Sequence, residues 1–261
     1  RRSAARSAVA VAAAGGVNAV AVGAVLPLAV IWFITGVGGQ VRRRLVAWWA
    51  VFVPMAIAWW LVPLLLLGRY SPPFLDWIES SATTTLFASV PQAMRGTSHW
   101  VAWLRGSLTT WPAGTELVTT PVLAWLGWGV VVLGVLGLLM RSTPHRTFLV
   151  GGVAVGLLLV TAGHTGPVSP PWAPHLQDLL DGPLAALRNN HKFDVLIRLP
   201  LVLGMAHAVA SLRPPVVPSM PWARHGVRVL AVCSVLGTAV PVLVGNAPAR
   251  GTFEEVPAYW R

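Results

Sequence analysis

Six apolar runs, at 8–34, 45–67, 121–140, 147–163, 195–212 and 227–245, alternate with polar segments along the chain. A helix needs about 20 predominantly apolar residues to cross a bilayer. The pattern therefore predicts an all-α polytopic membrane protein with about six transmembrane helices and two long loops, at 68–120 and 164–194. The first run carries Gly15, Gly16, Asn18, Gly23 and Pro27, which predicts a kinked or closely packed helix. The fourth and fifth are short. The fifth contains Arg198, Pro200 and His207, and Arg198 lies close enough to the interface to snorkel.

Composition supports the same class. With 55% hydrophobic residues and a mean hydropathy of +0.67, the chain is too apolar for an ordinary soluble domain. A net charge of +11 would suggest nucleic acid in a soluble protein. Here the basic residues sit between apolar runs and leave no soluble basic face, which excludes nucleic-acid binding. The Lys/Arg rule puts loop 35–44 (Arg42, Arg43, Arg44), loop 141–146 (Arg141, Arg146) and loop 213–226 (Arg213, Arg224) on the cytoplasmic side of the plasma (inner) membrane. Alternation then sends Arg1, Arg2 and Arg6 to the opposite side, a conflict that a bent first helix would resolve. All 8 carboxylates fall on the extracytoplasmic side: Asp76, Glu79 and Glu116, then Asp178, Asp181 and Asp194, then Glu254 and Glu255. Chemistry is expected on that face. The single cysteine, Cys233, lies inside an apolar run, so neither an intrachain disulfide nor a cysteine zinc site is available.

The densest polar stretch runs from Asp181 to Pro200 and brings Arg188, Asn189, Asn190, His191, Lys192, Asp194 and Arg198 to the mouth of the fifth apolar run. Ionisable groups at a hydrocarbon boundary are costly unless they meet headgroups, phosphate, water or one another. Arg188, Asn190, His191 and Lys192 form a donor-rich patch suited to a lipid-borne phosphate, or equally to ordinary anionic headgroups. In the first long loop, Pro72 and Pro73 break the preceding helix. Asp76 and Glu79 are three apart, so one helical turn would place both on one face, with Trp77 as an interfacial anchor. Such a carboxylate can serve as general base towards a sugar hydroxyl, or can cap a re-entrant helix and pair with Arg69 or Arg95. His99 stands beside Trp100, and Trp103 follows; aromatic faces suit both sugar rings and interfacial headgroups. His164, His175 and His207 are given no role. No metal-ligand spacing, Gly-rich phosphate loop or nucleophile elbow occurs.

Several stretches together resemble one family: Gly15-Gly16-Val17-Asn18, AWWLVPLLLLGRYSPPFLDWIE at 58–79, Arg95-Gly96-Thr97-Ser98-His99-Trp100, and LRNNHKFDVLIRLPL at 187–201. The family is the membrane domain of actinobacterial, including mycobacterial, α-(1→3)-arabinofuranosyltransferases of cell-wall arabinan synthesis, and the resemblance runs over nearly the whole chain. GTFEEVPAYW at 251–260 looks like the junction into that family's large extracytoplasmic portion. The resemblance implies a GT-C fold at 1–245, part of a longer protein whose N-terminal part is missing, with 246–261 leading into a soluble region.

It also implies a reaction: transfer of arabinofuranose from decaprenyl-phosphoryl-arabinose to arabinan of arabinogalactan or lipoarabinomannan at the outer membrane face. Arg188, His191 and Lys192 would bind the donor phosphate, and Glu79, or second Asp76, would be the base. Trp77, His99, Trp100 and Asn190 would shape the sugar and acceptor cavity. The leaving group is a phosphate monoester of low pKa, so neither a general acid, a metal nor a cofactor is required. The GT-C pattern usually adds an acid in an earlier loop, which would leave the residues named here as scaffold and lipid contacts. Rival functions are a transporter or flippase of a lipid-linked sugar and a non-catalytic membrane scaffold.

Overall fold

The computed structural model describes residues 1–15, 18–68, 70, 79–104, 111–212 and 221–245. The readings placed on Asp76, Trp77, Pro72, Pro73, Arg69, Arg213, Glu254, Glu255 and the junction at 246–261 lie outside the described residues, as does the side chain of Arg224. The described residues form helices, turns and loops and contain no strand. In order these are α1 (Arg2–Gly15), α2 (Ala19–Thr35), α3 (Gly39–Leu67), the short α4 (Ser81–Thr85), α5 (Val90–Arg95) and α6 (Pro112–Thr119), then α7 (Pro121–Leu139), α8 (Arg146–Thr161), α9 (Ala173–Asp181), α10 (Val195–Ala210) and α11 (Pro221–Leu243). Three 3-10 turns, Trp100–Trp103, Ala185–Leu187 and Asn190–Asp194, lie in the long connections.

Among the described residues four helical segments are long and apolar enough to cross a membrane: Gly39–Leu67, Pro121–Leu139, Asn190–Ala210 and His225–Leu243. Two shorter apolar helices, Ala19–Thr35 and Arg146–Thr161, accompany them. Small residues at the contacts explain why these helices pack without a soluble-protein hydrophobic drive. The centre is α7 against α10. A Cβ on Gly137 would overlap the carbonyl oxygen of Gly204, and a Cβ on Gly204 would overlap that of Gly134. Leu196, Ile197 and Leu201 of α10 are fully buried in a core shared with Val20 and Ala24 of α2, Ala93 of α5, Leu138 of α7, and Leu149 and Val160 of α8.

The first apolar run is two helices, not one kinked span. Asn18 caps α2, its Oδ1 accepting from the backbone N–H of Ala21 at 3.0 Å. Asn favours such an N-cap because its side chain satisfies an amide that the helix leaves unpaired. Ahead of it, α1 lies alongside α3. The Arg1 guanidinium sits 4.5 Å over the Trp48 ring, Trp49 Nε1 donates to Ser7 Oγ at 3.1 Å, and Ala8 and Val11 share a cluster with Val53 and Trp60. The two helices run in the same direction. Arg1, Arg2 and Arg6 therefore start at the same end of the bundle as Arg42, Arg43 and Arg44. This corrects the alternation that sends them to opposite sides: the reversal between α1 and α2 contributes the extra turn.

α2 then returns to the Arg42 end, where Trp32 meets His145 with ring centroids 4.9 Å apart and Phe148 at 5.4 Å. The far end of the bundle, where Asn18 lies, gathers the two long loops. There α4, α5, α9 and two of the 3-10 turns are stitched together by polar side chains.

Candidate active site

The stitching begins with Asp181, at the end of α9. Its Oδ1 accepts from the backbone N–H of Ser81 at 2.8 Å and its Oδ2 from Ser81 Oγ at 2.6 Å. Gln177, one turn earlier, donates to Thr85 Oγ1 and to the carbonyl of Gly163, each at 2.9 Å. The buried His164 places Nδ1 3.2 Å from the carbonyl of Thr85. A carboxylate beside the start of a helix satisfies amides that have no internal partner. These contacts fold the second long loop onto the first.

Arg188 lies inside this network, only 4% exposed. Its Nε is 3.1 Å from Asp181 Oδ1 and donates to the carbonyl of Leu180 at 3.3 Å. Its Nη1 donates to the carbonyl of Glu79 at 2.5 Å, and its own carbonyl accepts from Thr84 Oγ1 at 2.9 Å. Asn189, the next residue, donates from Nδ2 to Glu79 Oε1 at 2.6 Å. The structure thus brings Glu79 to the Arg188 stretch, 109 positions away for the Arg188 bond, as one polar site requires.

Beyond Asn189 the chain enters the 3-10 turn that leads into α10. Asn190 is buried, with Nδ2 donating to the carbonyl of Val160 at 2.5 Å and Oδ1 unpartnered among the described residues. His191 lies against His99, ring centroids 3.7 Å apart, and its Nδ1 is buried and unpartnered among the described residues. Lys192 Nζ donates to Asn18 Oδ1 at 3.2 Å. One amide oxygen thus serves both the cap of α2 and the ammonium at the mouth of α10.

His99 comes from the first long loop. Its Nδ1 accepts from the backbone N–H of Val101 at 3.2 Å, which places the proton of the neutral ring on Nε2. Its ring also meets Trp111, with centroids 5.2 Å apart. Burial, and then the charge of Lys192, hold the His99 pKa below the ordinary histidine value. Trp100 has a buried Nε1 without a partner among the described residues. Trp103 is committed elsewhere: it stacks on Phe87 with centroids 4.6 Å apart, and its Nε1 donates to the carbonyl of Thr97 at 2.9 Å. The aromatic wall is therefore His99, which faces His191, backed by Trp111, a residue that sequence reasoning left out.

A second clamp sets the height of this wall. Arg198, one turn into α10, pairs through Nε with Asp194 Oδ2 at 3.2 Å. Its Nη2 donates to the carbonyl of Ala93 at 2.6 Å and to that of Met94. These are last-turn carbonyls of α5, where a helix runs out of i+4 partners, and that of Ala93 also accepts from the capping N–H of Gly96 at 3.2 Å. Gly96, which ends α5 with φ 76°, brings the backbone to the Arg198 side chain. His99 and Trp100 follow three and four residues later.

Sequence reasoning missed Asn18 and Trp111 as members of this region, and placed Asp181, Asn189 and Arg198 at the mouth without giving them a role. For Asn18 a signal existed, since Asn directly ahead of an apolar run marks an N-cap. Among the described residues no group of three or more His, Cys, Asp or Glu could hold a metal ion.

Apolar helices that carry carboxylate, imidazole, ammonium and guanidinium groups together at one end of the bundle define an all-α polytopic membrane protein with a polar site at one mouth. The chain matches, over residues 1–261, the model of the α-(1→3)-arabinofuranosyltransferase N-terminal GT-C domain. It is 35% identical over 271 residues to an α-(1→3)-arabinofuranosyltransferase of Mycolicibacterium smegmatis and 36% identical over 273 residues to one of Mycobacterium tuberculosis. Each match takes in 100% of this chain and 19% of the relative, so the chain spans about a fifth of those proteins. A cryo-EM structure of arabinofuranosyltransferase AftD from mycobacteria superposes with a TM-score of 0.67 at 32% identity, over 99% of this chain and 16% of that one. The chain belongs to this GT-C family.

Proposed function

We propose that the protein containing this chain transfers arabinofuranose from decaprenyl-phosphoryl-arabinose to arabinan of arabinogalactan or lipoarabinomannan, working at the extracytoplasmic face of the plasma (inner) membrane. The observation that carries the reading is the family match along the whole chain. Two further facts support it: the site groups collect at one bundle end, and the Arg1 and Arg42 clusters collect at the other. Under the Lys/Arg rule the Arg-rich end is cytoplasmic and the site faces outward.

In the proposed reaction the acceptor hydroxyl oxygen attacks C1 of the arabinofuranose. The C1–O bond to phosphate breaks and its electron pair leaves with decaprenyl phosphate. Glu79 receives the hydroxyl proton, with Asp76 as the second candidate base. Lys192 and His191 meet the phosphate directly, and Arg188, ion-paired with Asp181, braces the turn that carries them, so that charge developing on the phosphate is stabilised by groups already in place. His99 and Trp100 line the sugar, with Trp77 assigned to the same cavity, and Asn190, whose amide is turned to the carbonyl of Val160, shapes it from behind.

The test is transfer from radiolabelled decaprenyl-phosphoryl-arabinose by the full-length protein, wild type beside Glu79→Gln. Loss of transfer with donor binding retained supports Glu79 as base. Undiminished transfer removes Glu79 from that role.

A further inference from the structure

We propose that Asn189 is the positioning residue for the Glu79 carboxylate, fixing which oxygen receives the acceptor proton. This rests on Glu79 being the base. Glutamate has three rotatable side-chain bonds and searches several geometries unless something holds it. Here two consecutive residues hold it. Arg188 Nη1 takes the backbone carbonyl of Glu79, and Asn189 Nδ2 takes Oε1 at 2.6 Å. The peptide that delivers Asn189 is itself pinned: the carbonyl of Arg188 accepts from Thr84 Oγ1 at 2.9 Å and from the N–H of Asn190 at 2.9 Å. The carbonyl of Asn189 accepts from the N–H of Lys192 at 3.2 Å. The carboxylate is therefore registered to the same turn that carries His191 and Lys192, so base and phosphate contacts share one frame.

The chemistry of the holding group matters. An arginine or lysine in this place would stabilise the carboxylate by a full charge and weaken it as a base. A carboxamide donates one hydrogen bond, carries no charge and cannot itself accept the proton. With Oε1 occupied by Asn189, Oε2 is the oxygen left to face the acceptor hydroxyl. Base catalysis demands hydrogen-bond reach to the reacting hydroxyl, and small misplacements are expensive.

The experiment uses the full-length protein with radiolabelled decaprenyl-phosphoryl-arabinose and an arabinofuranoside acceptor. It compares wild type, Asn189→Ala, Asn189→Asp, Glu79→Gln and the double variant Glu79→Gln/Asn189→Ala, with thermal stability recorded for each. The expected result is that Asn189→Ala lowers kcat roughly tenfold to a hundredfold while the donor KM stays within about twofold. Asn189→Asp, which sets a carboxylate against Glu79, loses more. In the Glu79→Gln background Asn189→Ala costs nothing further, because the group it positions is gone. A merely structural residue would multiply its loss into that background. That result, or wild-type kcat in Asn189→Ala beside an inactive Glu79→Gln, overturns the assignment and leaves Glu79 as base. Full activity of Glu79→Gln overturns the base reading, and this inference with it.

Discussion

Asp181 closes on Ser81 with both carboxylate oxygens, one on the backbone N–H and one on the hydroxyl, across 100 positions of chain. The same carboxylate is the ion-pair partner of the buried Arg188. One side chain thus joins the two long loops and neutralises the guanidinium beneath the site.

Replacing Asp181 by Ala removes the Ser81 contacts and the ion pair with the buried Arg188. Breaking one partner of a buried pair costs about 3–5 kcal/mol; Asp181 is itself partly exposed, so the lower end applies. The expected outcome is a clear drop in the thermal unfolding temperature of the detergent-purified protein. Asp181→Asn, which keeps an acceptor for the Ser81 N–H, should fall between the variant and wild type.

The contact between α7 and α10 makes a sharper packing prediction. At Gly204 a methyl group meets the backbone of Gly134, which cannot rotate away. Gly204→Ala should force the helices apart and reduce the yield of folded protein. Gly23→Ala is the control. A Cβ there meets nothing within 4 Å, and alanine gains roughly 0.5–1 kcal/mol over glycine inside a helix. Size-exclusion recovery after membrane extraction separates the two.

Acid should loosen the site through His99. Its folded-state pKa lies below the ordinary histidine value, with burial as the main cause and Lys192 next. Below that ordinary value the unfolded chain binds a proton that the folded chain refuses, so stability falls as pH falls and recovers on the neutral side. Thermal unfolding between pH 7 and pH 5 should show this decline in wild type, and His99→Asn should make it shallower. An unchanged slope in the variant would refute the assignment.

The sequence carried the architecture well where physics is local. Hydropathy located α3, α7, α8, α10 and α11 as separate apolar runs, because long apolar stretches have few alternatives. It could not show that 8–34 doubles back, since that run is apolar on both sides of Asn18 and the packing of α1 against α3 reveals the direction. Arg188 illustrates the other limit. Composition reads a guanidinium near a membrane mouth as a donor awaiting phosphate, whereas its surroundings are set by Asp181 and Glu79, both distant in sequence. The same holds for Asn189, whose neighbour Asn190 has the same side chain and the opposite orientation, one amide on Glu79 and the other on the carbonyl of Val160. Local pattern finds the mouth; long-range hydrogen bonds decide which groups face into it.

The reach of Arg198 to the last carbonyls of α5 ties the start of α10 to the segment that leads to His99. Helices in bilayers tilt to match the thickness of the hydrocarbon around them. A tilt of α10 would carry His191 directly, and through Arg198 would draw α5 and the segment bearing His99 along with it. The two imidazoles would then travel as a pair, and their spacing would change less than the position of the site as a whole.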